Sequence, residues 1–576
     1  MSESNPQIPQ LPHTPGQQCD WREPAGSSLA LLLCEAARSR DGIVVAVTAD
    51  NRAAHTLEDE LEVFAGAMPV LHFPDWETLP YDLFAPHPQL VSQRIDTLYR
   101  LPTTRKGVLV VPLATLMQRL APRTHIAGTG LAVARGERLD LADEQRRLEA
   151  CGYRHVPQVG EHGEFAVRGA LLDIFPMGAS EPYRIELFDD EVESIRAFDP
   201  ETQRSLHQVD SVKLLPAREF PLTDEAMRAF RDRLRERFPI DVRRCPLYQD
   251  MKQGVTPGGI EYYLPLFFEA TETLFDYLGE DALFVLGRGA LDAAEPFWKQ
   301  TEDRYDQRAH DIERPVLPPM ELYLPPQSLR ERLNKVLRVD IVGNDDARAA
   351  DTGTQAAPDF SAGGTGGLPT RLRDWHAAHP SQRVLIATDS AGRREALLEQ
   401  LATAELRPEI VDSWQAFFAR HSGASRTAFA GLQTRTPQAA RSASAKDGAS
   451  IPPASNDEAK MDPGLHRDDE KEKLSRDSWQ PLPDFAVLVA PLERGFTLTQ
   501  PALTVLTERE IAGERARTER QRRRVAERDP EAILRDLTEL EIGAPIVHVD
   551  HGVGRYLGLV ALDVGDMPGE FLAIEY

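Results

Sequence analysis

The chain has no run of 18 or so apolar residues that could cross a bilayer as a helix. It has only four cysteines in 576 residues, Cys19, Cys34, Cys151 and Cys245, and none stands in CxxC spacing. That excludes a cysteine-built zinc module and a disulfide framework, and it suits a reducing compartment. It has no GxxxxGK[ST] loop, so the lysine that reaches the β- and γ-phosphates of a nucleotide is missing. Nor is there an excess of positive charge. Lys and Arg number 66 against 91 Asp and Glu, a formal net charge of -25, which opposes a role in coating nucleic acid while leaving a local basic groove open. The opening MSESNPQIPQLPHTPG lacks a basic-then-apolar signal pattern, so the expected location is the cytoplasm.

What is present is a multidomain α/β pattern, since 576 residues exceed what one core serves. SSLALLLCEAARSR reads as a helix, GIVVAVTA as a buried strand and NRAAHTLEDELEVFAG as an amphipathic helix, and GVLVVP with LATLMQRLAP repeats the strand-then-helix order. Apolar strands alternating with helices predict a parallel sheet covered on both faces. The expected domains are residues 1–120, the first part of this α/β domain; 121–217, an inserted β-rich domain of short strands; and 218–344, where ALFVLG completes the α/β domain. Residues 345–506 read as a second small α/β domain carrying a polar insertion at about 423–480, too poor in large apolar residues to repay ordering. Residues 507–540 read as charged linker helices, with acids interleaved among the arginines of ERARTERQRRR as in a solvated helix. Residues 541–576 read as strands with glycine turns, a domain cut short.

Several motifs imitate chemistry. In EPAGSSLALLL, Gly26, Ser27 and Ser28 stand where a P-loop has Gly-Lys-Ser, and without the lysine a serine-capped helix start is expected. IELFDDE resembles a strand ending in a magnesium-binding acid, but Glu186 interrupts it, and Asp189 and Asp190 are expected in a turn. His548, Asp550 and His551 offer metal-ligand atoms, yet on a strand His551 faces away from the other two. Trp76 and Tyr81, in a segment bounded by Pro74 and Pro80, are expected to pack. No catalytic residue and no metal site is expected. In YRIELF, alternation sends Ile185 and Leu187 to one face and Arg184, Glu186 and Phe188 to the other. Either Phe188 is exposed near Arg184, with Arg168 on an adjacent strand, or it is buried or caps a hairpin. Exposed, it would be the composition of a protein-docking spot, and the surrounding acids oppose nucleic acid.

FPDWETLPYDLFAPHPQLVSQRIDTLYRLPT, YRHVPQVGEHGEFAVRGALLDIFPMG, YRIELFDDEVESIRAFDPETQRS and IVHVDHGVGRYLG make the chain resemble the N-terminal part of the bacterial transcription-repair coupling factor (Mfd) family over nearly its whole length. The resemblance implies a degenerate motor-like domain similar to the excision-repair protein UvrB, with an insert that docks onto UvrA through Arg168, Arg184 and Phe188. It implies a partial SH3-like β-barrel at the C-terminus whose Leu562, Arg555 and Tyr556 contact the RNA polymerase β subunit. It implies no cofactor in this stretch; ATP, magnesium and double-stranded DNA belong to a translocase that follows it in the family. It implies no membrane partner. A competing reading is a UvrB-like damage-binding subunit, which needs a Walker lysine and a long hairpin after Tyr81; the sequence has neither.

Overall fold

The computed structural model describes residues 8–128, 131–361, 367–403, 405–421, 485–512, 545–548, 552–564 and 567–575. The chain divides into two units, one containing Gln7–Thr354 and the C-terminal strands, the other Gln355–Glu514.

The first unit is built on a six-stranded parallel sheet in the order Gln18–Arg22, Leu337–Val342, Leu283–Leu286, Gly42–Thr48, Lys106–Pro112, Val70–His72. GIVVAVT is buried at every position and LFVL likewise, as expected for strands covered on both faces. Two of these strands come from beyond residue 280 and lie between Gln18–Arg22 and Gly42–Thr48, so the sheet closes only when the chain returns from its insertion. Gln18–Arg22, which carries no strand signal of its own, is an edge strand pairing in register with Arg338–Val342, and its Trp21 is fully buried.

Between these halves lies the insertion, a six-stranded sheet in the order Ser205–Val209, Glu191–Phe198, Tyr183–Phe188, Leu171–Ile174, Glu164–Arg168, Arg154–His155. It is antiparallel except for the last pair. One feature departs from the expected run of short strands: Leu141–Ala150 is a helix, started by Asp140, whose carboxylate accepts from the amides of Ala142 and Asp143. Its Leu148 joins Phe165, Leu172, Ile185 and Ile195 in the insert's own core.

Helix Pro88–Arg100 joins body and insert. Its Val91 and Ile95 lie in the insert core, whereas Leu98, one turn on, lies in the core of the body. Gly178 of the insert approaches it closely: its amide donates to Ser92 Oγ at 2.8 Å, its φ is +78°, and a Cβ there would sit 3.0 Å from the Asp96 carboxylate. At the centre of this seat is Arg94, wholly buried. It donates to Glu219 through Nε at 2.6 Å and Nη2 at 3.2 Å, and to the Pro74 carbonyl through Nη1 at 2.7 Å. Its guanidinium carbon lies 4.4 Å from the Phe73 ring centroid and 4.9 Å from that of Trp76, whose indole N–H also donates to Glu219 at 3.2 Å. Glu219 follows the last strands of the insert, so this pair ties the exit of the insertion to the segment Phe73–Trp76 of the body.

The second unit has strands Phe496–Leu498, Leu503–Leu506, Arg383–Thr388, Phe485–Val489 and Glu409–Ile410 as successive neighbours, parallel except for the first pair. The insertion expected at 423–480 and most of the linker expected at 507–540 lie outside the described residues. At the C-terminus, Pro545–His548, Gly552–Val564 and Met567–Glu575 form a three-stranded antiparallel sheet. Among the described residues no helix is long and apolar enough to cross a membrane.

Removing one partner of a buried, hydrogen-bonded ion pair leaves an uncompensated charge, whereas replacing both by apolar residues does not. Glu219→Ala is therefore expected to destabilise the first unit by about 3–5 kcal/mol, and Arg94→Met combined with Glu219→Leu to recover most of that loss. Chemical denaturation of the three proteins measures it; equal midpoints for wild type and Glu219→Ala would remove the pair from its structural role.

Candidate docking face

The insert presents a hairpin in which Tyr183–Phe188 and Glu191–Phe198 are joined by Asp189 and Asp190, with Phe188 opposite Glu191 as the last pair. Asp189 has a φ of +61°, a left-handed conformation that aspartate tolerates better than most side chains. The register slips between Glu186, which faces Ser194, and Leu187, which faces Val192. Such a bulge sharpens the local twist at the end of a ribbon. Because the extra residue, Glu193, is on the partner strand, alternation along Tyr183–Phe188 runs on unbroken: Leu187 is buried and Phe188 is 75% exposed. Both alternatives left by the sequence thus meet in one residue, since Phe188 is exposed and also closes the hairpin.

Arg184 is half-buried and committed. Its Nε and Nη2 donate to the two oxygens of Asp173 at 2.7 and 2.9 Å across the strand pair, its Nη1 donates to the Gln203 carbonyl at 3.4 Å, and its guanidinium carbon lies 4.9 Å from the Phe198 ring centroid. Hydrogen bonding to Asp173 raises its pKa further, against the effect of burial. Arg168 is exposed, donates to the Pro157 carbonyl at 2.7 Å, and reaches the same carboxylate at 3.8 Å. Asp173 itself is 3% exposed, so one buried anion holds two cations on the surface above it. Arg184 and Phe188 are not neighbours in contact as expected from the alternation: four residues of strand set their backbones about 13 Å apart. They are separate points on one face of the sheet, and Arg168 is not on an adjacent strand as expected, because Leu171–Ile174 lies between.

The other expected sites fall as follows. Gly26 has a φ of +55° and precedes helix Ser28–Ser39, but Ser27 does not cap it. Its hydroxyl instead donates to Glu60 Oε1 at 2.6 Å in helix Asn51–Ala65, and that of Ser28 donates to the Ala25 carbonyl, which corrects the expected serine cap and turns both hydroxyls inward. Trp76 and Tyr81 are buried; the Tyr81 hydroxyl donates to the Leu317 carbonyl at 2.8 Å. In the C-terminal sheet Arg555 is exposed and Leu557 is 50% exposed, but Tyr556 between them is buried, with its phenol pKa raised by that burial. Its ring is therefore not on the open surface, a correction to its expected role as a contact; the side chain of Leu562, like Asp550 and His551, lies outside the described residues. Missing from the sequence reading was a group of metal-ligand type, His55, Glu58 and His72. Its only local signal is the His-x-x-Glu spacing on a helix, because His72 arrives from another element.

Comparison with known proteins follows the same division. Residues 131–220 match the UvrB interaction domain, residues 376–432 the MFD D3 domain, and residues 540–576 the CarD-like/TRCF RID domain. Over 95% of its length the chain is 35% identical to a transcription-repair-coupling factor of Haemophilus influenzae, and over 98% it is 36% identical to that of Escherichia coli K12. It is 30% identical over 92% of its length to the one from Myxococcus xanthus. The chain spans less than half of these relatives, 42%, 44% and 42% of their lengths. Three domain matches in one order, and similarity along almost every residue, place the chain in the transcription-repair-coupling factor family, to whose N-terminal portion it corresponds.

Proposed function

We propose that this chain is the recruiting part of a protein that couples stalled transcription to nucleotide excision repair. The insert docks onto UvrA through Phe188, with Arg168 and Arg184 as further points on the same sheet face. The C-terminal strands, read as the first half of an SH3-like barrel, contact the RNA polymerase β subunit through Arg555 and Leu562. ATP, magnesium and double-stranded DNA are engaged by a translocase outside these residues, which releases the stalled polymerase. The protein works in the cytoplasm, where its four unpaired cysteines stay reduced.

One observation carries this reading. A large aromatic side chain stands 75% exposed at the tip of a hairpin whose sheet has a filled core and whose flanking cations are fixed by Asp173. Exposed aromatics and arginines on one face are the residue types that dominate binding energy in protein interfaces. The absence of a Walker lysine and the inward-turned hydroxyls of Ser27 and Ser28 support a body that hydrolyses no nucleotide. Against the damage-binding alternative, only six residues separate Tyr81 from the start of helix Pro88–Arg100, too few for a long clamping hairpin.

The geometry decides which variants test it. Phe188→Ala removes an exposed ring and is expected to change stability by less than about 0.5 kcal/mol while weakening UvrA binding by about 2 kcal/mol, roughly thirtyfold, in calorimetric titration without nucleotide. Undiminished affinity in this variant would discard the docking assignment. Arg184→Glu is expected to behave differently, because it sets a second carboxylate against the buried Asp173. A loss of about 2 kcal/mol or more in fold stability should accompany its loss of binding, visible as a lowered denaturation midpoint. A fully stable Arg184→Glu would show that the Asp173 pair is dispensable to the sheet.

A further inference from the structure

Helix Asn51–Ala65 carries His55 and Glu58 one turn apart on one face, and the edge strand Val70–His72 ends opposite them. Glu58 Oε2 lies 2.9 Å from His72 Nδ1 and 3.8 Å from His55 Nδ1. The two imidazoles stand edge to face with centroids 5.0 Å apart, and the ligating atoms of the three residues all fall within 4.8 Å of one another. Behind His55, on the side away from Glu58, its Nε2 lies 3.6 Å from Glu77 Oε1. Glu77 holds a φ of +56°, and its Oε2 is buried without a hydrogen-bond partner among the described residues; the same is true of Nε2 of the buried His72.

We propose that His55, Glu58 and His72 bind a divalent transition-metal ion, with zinc the best fit, and that Glu77 orients the His55 ring from behind. A tetrahedral ion with ligands at about 2.0–2.1 Å holds its ligand atoms about 3.4 Å apart, between the 2.9 and 3.8 Å that separate Glu58 Oε2 from the two imidazole Nδ1 atoms. Two imidazoles and one carboxylate select a borderline ion over magnesium or calcium, which take oxygen ligands. With Nδ1 of His55 turned to the ion, its Nε2–H faces Glu77, the carboxylate–histidine–metal arrangement that fixes ring and tautomer. The side chains of His55 and Glu58 are 28% and 30% exposed, so the fourth position opens to water. A plain hydrogen bond between Glu58 and His72 accounts for that pair alone; it leaves the convergence of a second histidine and a second carboxylate unexplained. The ion would fasten the helix and the edge strand to the segment that continues into Trp76, which contacts Arg94.

The test uses the untagged chain, stripped with a chelator and titrated with zinc in a calorimeter, with cobalt substitution as a spectroscopic probe. The expected result is one ion per chain and visible cobalt absorption of tetrahedral type. Glu58→Gln and His55→Gln, at partly exposed positions, should keep the circular-dichroism melt of the stripped protein while losing affinity by a hundredfold or more. Glu77→Gln should weaken binding by about tenfold. Failure of the parent to bind zinc stoichiometrically, or undiminished affinity in both Glu58→Gln and His55→Gln, would overturn the site.

Discussion

The pairing of Arg94 with Glu219 is the constraint on which the rest of the first unit depends. A guanidinium with no solvent exposure is tolerable only because Nε, Nη1 and Nη2 all have acceptors and two aromatic rings flank its plane. Arg94 and its partners come from three places: the helix that seats the insert, the segment after the edge strand, and the stretch by which the insert returns. The charge can be buried only if all three are assembled, so the ion pair makes correct placement of the insert a condition of folding the body. It contributes specificity of arrangement more than net stability, as buried pairs with good geometry often do.

From that seat the mechanical logic runs outward. Val91 and Ile95 give the insert a floor, the insert's sheet rests on it, and the hairpin presents Phe188 at the end of an interior strand. Order at the tip lowers the entropy cost of binding, because an aromatic side chain with few rotamers is held on a backbone that need not reorganise. Asp173 does the same for the two arginines. A free arginine on a surface must be immobilised on docking, whereas Arg184 is already held in a two-point bond and offers a partner its edge and its field. The same bond limits its use: its charge is balanced locally, so Phe188 is the better isolated anchor.

Much of this was legible in the chain. Gly42–Thr48 and Leu283–Leu286 announce themselves because a strand buried on both faces must be apolar throughout, and Ile185 and Leu187 because a one-sided sheet must alternate. Gln18–Arg22 was hidden: a polar edge strand with one fully buried side chain, Trp21, whose partner strand lies 320 residues away, carries no local periodicity. Helix Leu141–Ala150 buries only Glu144 and Leu148, too little to impose a helical period on the sequence. Ser27 was misjudged because capping is a local rule, and the carboxylate of Glu60, 33 residues on, competes for its hydroxyl. Which face of Tyr183–Phe188 meets the core depended on the surrounding strands, since alternation fixes only that Leu187 and Phe188 point opposite ways, and the grouping of His72 with His55 depended on two elements meeting.

The most direct measurement of the central claim, that one face of a rigidly seated sheet is the recruiting surface, is hydrogen–deuterium exchange of the whole chain with and without UvrA. The account predicts slowed exchange confined to peptides covering residues 164–173 and 183–192, with helix Pro88–Arg100 equally protected in both states. Unchanged exchange in those strands alongside new protection elsewhere in the chain would contradict it.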